Sequence, residues 1–482
     1  MKAKSRLRRW LLSSALALAS TLSSSGLRAQ SDPTLGSPEA QRLAREIFRE
    51  VIEINTTANV GSTRAAQAMA TRLRQAGFPA ADLTLTGPLP QHQNLVIRYR
   101  GKSRQRPILF IAHLDVVAAL PSDWSFDPFT FREQDGFFYG RGTTDMKCEV
   151  ADIVANLIRL RREGYVPPRD LIIALTEHEE NGDHNGIAWL LSKHRDLIDA
   201  EYAINLEGGG GSSKAGKPIL MEIQTSEKTY LNFELEVRNR GGHSSLPVKD
   251  NALVRMGSAL TRVGVMELPV RLNETTQMYF GQYGKVLSEP IAADMRTLAG
   301  NPQDAAAAAR LSAASPYYNA LLRTTCVPTL ASGGHAENAL PQSVRVNVNC
   351  RLLPDESPAE VKASIERAIA DPGVVVTPQN QARPSPLSKL RPDILQTVST
   401  LTGAMWPGVV VTAVMSTGAS DGKQLRQAGM SVYGVSGMFG DVDDVRAHGR
   451  DERIGVTDFY RGVEFMYRFL PTIAAQPPSP AR

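Results

Sequence analysis

The sequence predicts an α/β fold: a mostly parallel sheet flanked by helices, interrupted by a smaller α+β domain of ferredoxin-like order. Three observations lead there. Short apolar runs recur, each ending in polar or charged residues. Helical periodicity lies between them, as in strand–helix–strand units. Midway along the chain the pattern changes to strict alternation, which marks strands with one solvated face.

Residues 39–77 read as helix with a break around Asn55 to Gly61. Pro107-Ile-Leu-Phe-Ile-Ala-His-Leu-Asp115, Asp170-Leu-Ile-Ile-Ala-Leu-Thr-Glu177 and Ala203-Ile-Asn-Leu-Glu207 are continuous apolar runs. Such runs suit parallel strands buried on both faces. Between the first two, Val150, Ile153, Val154, Leu157, Ile158 and Leu160 keep helical spacing, and Gly164 is a natural stop. From Lys228 onward Leu231, Phe233, Leu235 and Val237 alternate, a helix follows over 250–263, and alternation returns from Val344 to Leu352. Ser357-Pro-Ala-Glu360 opens a helix that ends at Ala370, and Val374 to Thr377 makes another strand. This strand–helix–strand–strand–helix–strand order predicts the ferredoxin-like unit. Residues 270–325 are expected to be additional, mostly helical material within it. Val409–Val414 and Ser431–Val435 resume the first pattern. The expected division is a signal segment over 1–29, a catalytic domain in two parts, 30–227 and 385–475, an inserted domain over 228–384, and a frayed tail over 476–482.

The 482 residues carry a formal net charge of +5, but residues 1–30 hold six basic residues and no acid, so the remainder carries −1. A nearly neutral remainder offers no electrostatic reason to bind nucleic acid. The basic start, the apolar stretch from Trp10 to Leu22 and the small residues after it read as a secretory signal. Cleavage fits after Ala29, although Leu27 is large for the position two before it. That stretch is too short and too rich in Ser to span a bilayer comfortably. An exported protein, periplasmic or extracellular and without stable membrane insertion after cleavage, is therefore expected; an uncleaved anchor is the alternative. Cys148, Cys326 and Cys350 fit neither a zinc knuckle nor a redox pair. Two of them could join after export, with the pair left open; the valines alternating with Cys350 favour its burial.

Acidic residues and histidines cluster after the apolar runs, where open α/β sheets bind ligands. The candidates are His113 with Asp115, Asp145, the Glu179–Glu180 pair, Glu207 and His448. With them, five segments resemble those of the di-zinc aminoacylase, carboxypeptidase and dipeptidase family of amidohydrolases. They are His113-Leu-Asp115-Val-Val, Gly140-Arg-Gly-Thr-Thr-Asp145-Met-Lys, Glu179-Glu180-Asn-Gly, Leu206-Glu207-Gly-Gly and Ala447-His448-Gly. In the middle of the chain, Gly241-Gly-His243-Ser and Asn338-Ala-Leu-Pro341, leading to Arg351, match as well.

The resemblance, which covers roughly residues 40–470, implies a zinc exopeptidase-like catalytic domain with an inserted lid or dimerisation domain. It implies two Zn²⁺, with Co²⁺ or Mn²⁺ as substitutes. Asp145 would bridge them, His113 and Glu207 would complete one, and Glu180 and His448 the other. Glu179 would be the general base, and Asp115 would orient the His113 imidazole. Arg351 and Asn338 would bind the substrate carboxylate or backbone, and Gly418-Ala-Ser420-Asp421 would lie near the substrate's end. His243 would stabilise the oxyanion, commonly in the site of a second subunit, which implies a homodimer through the inserted domain. The Asp145–Met146 peptide would be cis. The implied reaction is amide hydrolysis of a small peptide or N-acyl amino acid. His178 departs from the family, which usually has an acid there; it reads as a neighbour of the ligands or as partly exposed. His92, His194 and His335 read as structural or surface residues.

A rival from another class is a periplasmic metal-holding binding protein, or a degenerate homologue without turnover. Retention of Glu179 argues against it, because a structural site needs no free base. A serine hydrolase is the third and least supported reading, and chelator sensitivity separates it from the first.

Overall fold

The computed structural model describes residues 32–478 except Asp183 and Arg383. The expected signal segment and the end of the Pro-rich tail lie outside the described residues. Among those described, no helix is long and apolar enough to cross a membrane.

Ten strands form the large sheet. At its centre Ile108–His113 lies parallel to both Leu171–Thr176 and Tyr202–Asn205, and Val432–Gly434 continues parallel beyond the latter. The hairpin Leu83–Leu89 and His92–Tyr99 closes one side antiparallel. The apolar runs are continuous because both faces are covered. Ile108 and Phe110 point into a core shared with helices Pro38–Glu53, Thr63–Gln75, Lys147–Arg162, Pro392–Met405 and Val456–Ala474. Leu109 and Ile111 point into a second core with Ile187, Leu190 and Leu425 from the opposite helices. The break expected near Asn55 falls between the first two helices.

The small sheet has the order Thr325–Gly333, Ser343–Leu352, Thr229–Arg238, Val374–Pro378, antiparallel throughout. Numbered in chain order from Thr229–Arg238, that is strand order 2-3-1-4, the ferredoxin-like arrangement that the sequence order predicts. Helices Ala252–Gly264 and Pro358–Ile369 cover one face, and Phe233, Leu235, Val346 and Val348 meet Met256, Val361 and Ile365 there. Ser357 stands at the N-cap with Pro358 behind it, but its side chain makes no cap hydrogen bond. Cys326 and Cys350 sit opposite each other on adjacent strands and form a disulfide, while Cys148 is free and buried.

One expectation is corrected. Residues 270–325 form four helices, but these do not pack within the small domain. Tyr279, Phe280, Met295, Leu298 and Leu311 bury against Leu220, Val414 and Met415 of the large sheet. Strands Lys217–Glu227 and Val410–Ser416 pair there and offer an apolar face that needs cover. Composition shows that this stretch is helical, but the surface it covers is set by strands far away in sequence.

Candidate metal centre

The parallel register brings three chain segments to one edge of the large sheet. His113 pairs with Thr176 at the carboxyl end of the central strands, and Ile111 pairs with Asn205 beside them. The chain leaving Thr176 makes the turn that carries Glu179 and Glu180, and the chain leaving Asn205 reaches Glu207 two residues later.

All five expected ligands and Glu179 meet there. His113 Nε2 lies 3.1 Å from Asp145 Oδ1, and His448 Nε2 lies 3.1 Å from Asp145 Oδ2. His448 Nε2 is also 3.0 Å from Glu180 Oε1. Donor atoms of His113, Asp145 and Glu180 lie within 4.8 Å of one another, as do those of His113, Glu179 and Glu207. Asp145 thus turns one oxygen to each histidine, the disposition a shared carboxylate needs. The Asp145–Met146 peptide is cis.

Two imidazoles here face four carboxylates at a largely buried edge. Burial, with the Asp145 charge added, pushes Glu180 up to about 7, and burial raises Glu179 and Glu207 well above the usual carboxylate range. His448 is pushed up to about 9, first by its hydrogen bond to Asp145. Burial alone would lower His113, but the hydrogen bond to Asp145 and the charges of Asp115, Asp145 and Glu207 hold it well above its ordinary value. Carboxylates crowded in this way suit cations, and a mixed nitrogen and oxygen donor set suits zinc and its first-row neighbours. The residues therefore fit a pair of dications.

The contacts of Asp115 differ from expectation. Its carboxylate accepts the backbone N–H of Glu179 on one oxygen and that of Glu180 on the other, both at 3.1 Å. The nearest partner of His113 Nδ1 within residue 115 is the backbone carbonyl at 3.0 Å, with the carboxylate at 3.6 Å. Asp115 thus fixes the turn bearing the two glutamates as much as it fixes the imidazole.

One participant escaped sequence reasoning, and a second, Asp421, enters it only as part of the loop near the substrate's end. Glu452, fully buried, accepts the backbone N–H groups of Gly142, Thr144 and Asp145 and pairs with Arg141 at 2.7 Å. It anchors the whole loop that presents Asp145. Its sequence signal was only an acid four residues after His448. Asp421 accepts from Thr176 Oγ1 and Asn185 Nδ2, and its charge bears on both Glu179 and Glu207.

Ser420 is corrected. It is buried, donates to Glu227 at 2.7 Å and accepts from Asn205 and the Gly422 N–H, so its hydroxyl is spent inside the protein. Gly418-Ala-Ser420-Asp-Gly422 has the letters of a nucleophile elbow, but Ser420 has no histidine among its hydrogen-bond partners, as a serine hydrolase would require. His178 is buried rather than partly exposed. His243, by contrast, is exposed, on a ribbon where Gly242–His243 pairs with Ala339–Leu340. Its Nδ1 bonds Ser245, and Asn338 accepts from the Ser244 N–H through its carbonyl. None of these bonds reaches the metal centre. Arg351 lies at the other end of the small sheet, half-buried, with its guanidinium 4.8 Å from the centroid of the Tyr230 ring. Eight residue steps along the strand separate it from Ser343, beside the ribbon, or about 26 Å at 3.3 Å per step.

A cavity of about 480 Å³ opens beside Glu207 and Thr144, with Phe137, Met438, Phe439 and Val442 among its apolar walls.

Fold and site together define a metallohydrolase with a sheet-edge metal centre and a lid-like second domain. The chain belongs to peptidase family M20/M25/M40, whose pattern matches residues 109–472. It is 29% identical over 376 residues to the N-fatty-acyl-amino acid synthase/hydrolase PM20D1 of Xenopus tropicalis, covering 76% of this chain and 72% of that protein. It is 24% identical over 413 residues to carboxypeptidase S of Saccharomyces cerevisiae, covering 76% and 72%. In fold it resembles an M20 family metallo-carboxypeptidase of Sulfolobus solfataricus at a TM-score of 0.67, with 16% identity over 90% of this chain and 99% of the other. A dinuclear metal binding M20 peptidase of Bacillus subtilis superposes at 0.57, with 11% identity over 90% and 98%.

Proposed function

We propose that this protein hydrolyses the amide bond of small peptides or N-acyl amino acids that end in a free carboxylate. The observation that carries the proposal is Glu179. It stands beside the ligand-like Glu180, with donor atoms in reach of His113 and Glu207, yet the residues around it already suffice to hold two ions. His113 and Glu207 would hold one, Glu180 and His448 the other, and Asp145 both. When bound, two dications supply Lewis acidity toward the scissile carbonyl and acidify a water. Zinc suits these donors, with cobalt or manganese as substitutes.

Glu179 takes the proton from the attacking water and returns it to the leaving nitrogen. Asp115 holds its backbone in place for both transfers. Arg351 offers a planar fork to the substrate carboxylate, and the cavity beside Glu207 gives room for an apolar acyl group or side chain. Relatives that act on N-fatty-acyl amino acids and relatives named as carboxypeptidases support these two substrate classes.

Arg351 and His243 lie too far apart along one small sheet to serve the same site within a rigid chain. A homodimer resolves this, with His243 reaching a neighbour's site from an exposed ribbon. Leu330 and Leu246, both more than 70% exposed on the small domain, suit such an interface. The Cys326–Cys350 disulfide and the basic and apolar N-terminal sequence support export to an oxidising compartment.

The test is hydrolysis of a mixed panel of dipeptides and N-acyl amino acids by the purified protein, comparing zinc, cobalt and manganese. Metal-dependent release of the free amino acid supports the proposal. Tight metal binding with no turnover on any member would favour a metal-holding binding protein instead.

A further inference from the structure

Beneath the Glu179–Glu180 turn lies a second cluster of ligating side chains that the dinuclear centre does not use. His92 comes from the antiparallel strand His92–Tyr99, and Glu177 and His178 follow the central strand Leu171–Thr176. All three are buried: Glu177 fully, His92 and His178 to at least nine-tenths. Donor atoms of the three lie within 4.8 Å of one another.

Ordinary packing does not account for their polar atoms. The His92–Glu177 hydrogen bond, 2.9 Å from Nδ1 to Oε2, satisfies one atom of each. Glu177 Oε1 and both ring nitrogens of His178 have no hydrogen-bond partner. Buried polar groups are nearly always paired, so three orphans in one cluster call for a missing partner. An imidazole needing only burial would turn one nitrogen to a backbone carbonyl. Both nitrogens of His178 are instead left bare, and its backbone takes the left-handed region, φ 55°, unusual for a residue other than glycine.

We propose that His92, Glu177 and His178 form a separate mononuclear metal site that takes a single zinc-like divalent ion. The donor set is two imidazoles and one carboxylate, a known zinc composition. Tetrahedral zinc with bonds of about 2.0–2.1 Å spaces its ligand atoms about 3.3 Å apart. The distances from Glu177 Oε2, 2.9 Å to His92 Nδ1 and 3.8 Å to His178 Nε2, bracket that value. The fourth position goes to water or to the exposed His184, whose ring centroid lies 5.9 Å from that of His178 and 6.2 Å from that of His92. The site shares no ligand with the dinuclear centre. Its burial excludes substrate, so its role is to tie the turn carrying Glu179 and Glu180 to the neighbouring strand.

The test is an anomalous difference map, at the zinc edge, of the full-length protein crystallised with zinc, together with zinc content by mass spectrometry. A peak among His92, Glu177 and His178, resolved from those at Asp145, is the expected result. The double variant His92→Asn, His178→Asn should hold about one zinc ion fewer per chain than the wild type, and His448→Ala should keep the separate peak while losing density at its own site. No peak at the cluster in zinc-grown wild-type crystals would overturn the proposal, as would equal zinc content in wild type and a folded double variant. Failure of the dinuclear assignment would show differently, as missing peaks at Asp145.

Discussion

Glu452 accepts the backbone N–H of Asp145 at 3.1 Å while holding Arg141 with its other oxygen. A fully buried carboxylate some three hundred residues along the chain thus orients the carboxylate that faces both His113 and His448. Residues that orient a ligand typically contribute about 10–100-fold to metal affinity or activity. Glu452→Gln is therefore expected to weaken metal binding by that order, measured by competition with a graded chelator, and to retain the overall fold by circular dichroism. Unchanged affinity would mean that the loop holds its shape without Glu452.

Arg351 is expected to act on substrate binding. Replacing it with Lys keeps the charge but removes the fork and the packing on Tyr230. A hydrogen bond to a charged group contributes about 1.5–3 kcal/mol, so kcat/KM should fall about 10–100-fold, mostly through KM. A fall confined to kcat would place Arg351 in the chemical step instead.

His243→Ala is expected to keep the metals and lose about 10²–10³-fold in turnover, as removal of an oxyanion donor does. If the residue acts across a dimer, mixing it with Glu179→Gln restores activity, because mixed dimers own one site with both residues intact. No recovery, with subunit exchange shown by mass spectrometry, rules out action across the interface.

Cys326 and Cys350 close a loop over a sequence separation of 24 residues. Chain entropy gives such a cross-link about 3 kcal/mol. Replacing both with Ser should lower unfolding stability by that order in urea, and a reducing agent should reproduce the loss in the wild type.

Much of this molecule was legible in sequence because burial leaves a plain signature. The run from Ile108 to His113 is apolar at every position before its histidine, and that pattern places the histidine at the carboxyl end of a buried strand. The alternation over Thr229–Arg238 marked the small domain equally well. The resemblance to a family then separated six site residues from the other acids and histidines. Glu452 was hidden because its partners are backbone amides, which carry no residue identity. Ser420 misled because a Gly-rich turn looks the same whether its hydroxyl faces substrate or the interior. The surface that residues 270–325 cover is not legible in sequence, because an amphipathic helix does not say which surface it covers.

The central claim is that Glu179 moves the proton while Glu180, one residue away, holds metal. It is tested most directly by comparing Glu179→Gln with Glu180→Gln for metal content and turnover in the same preparations. Glu179→Gln should keep the wild-type metal content and lose about 10²–10⁴-fold in kcat, whereas Glu180→Gln should lose metal and activity together. Equal metal loss in both, or full activity in Glu179→Gln, would contradict the assignment.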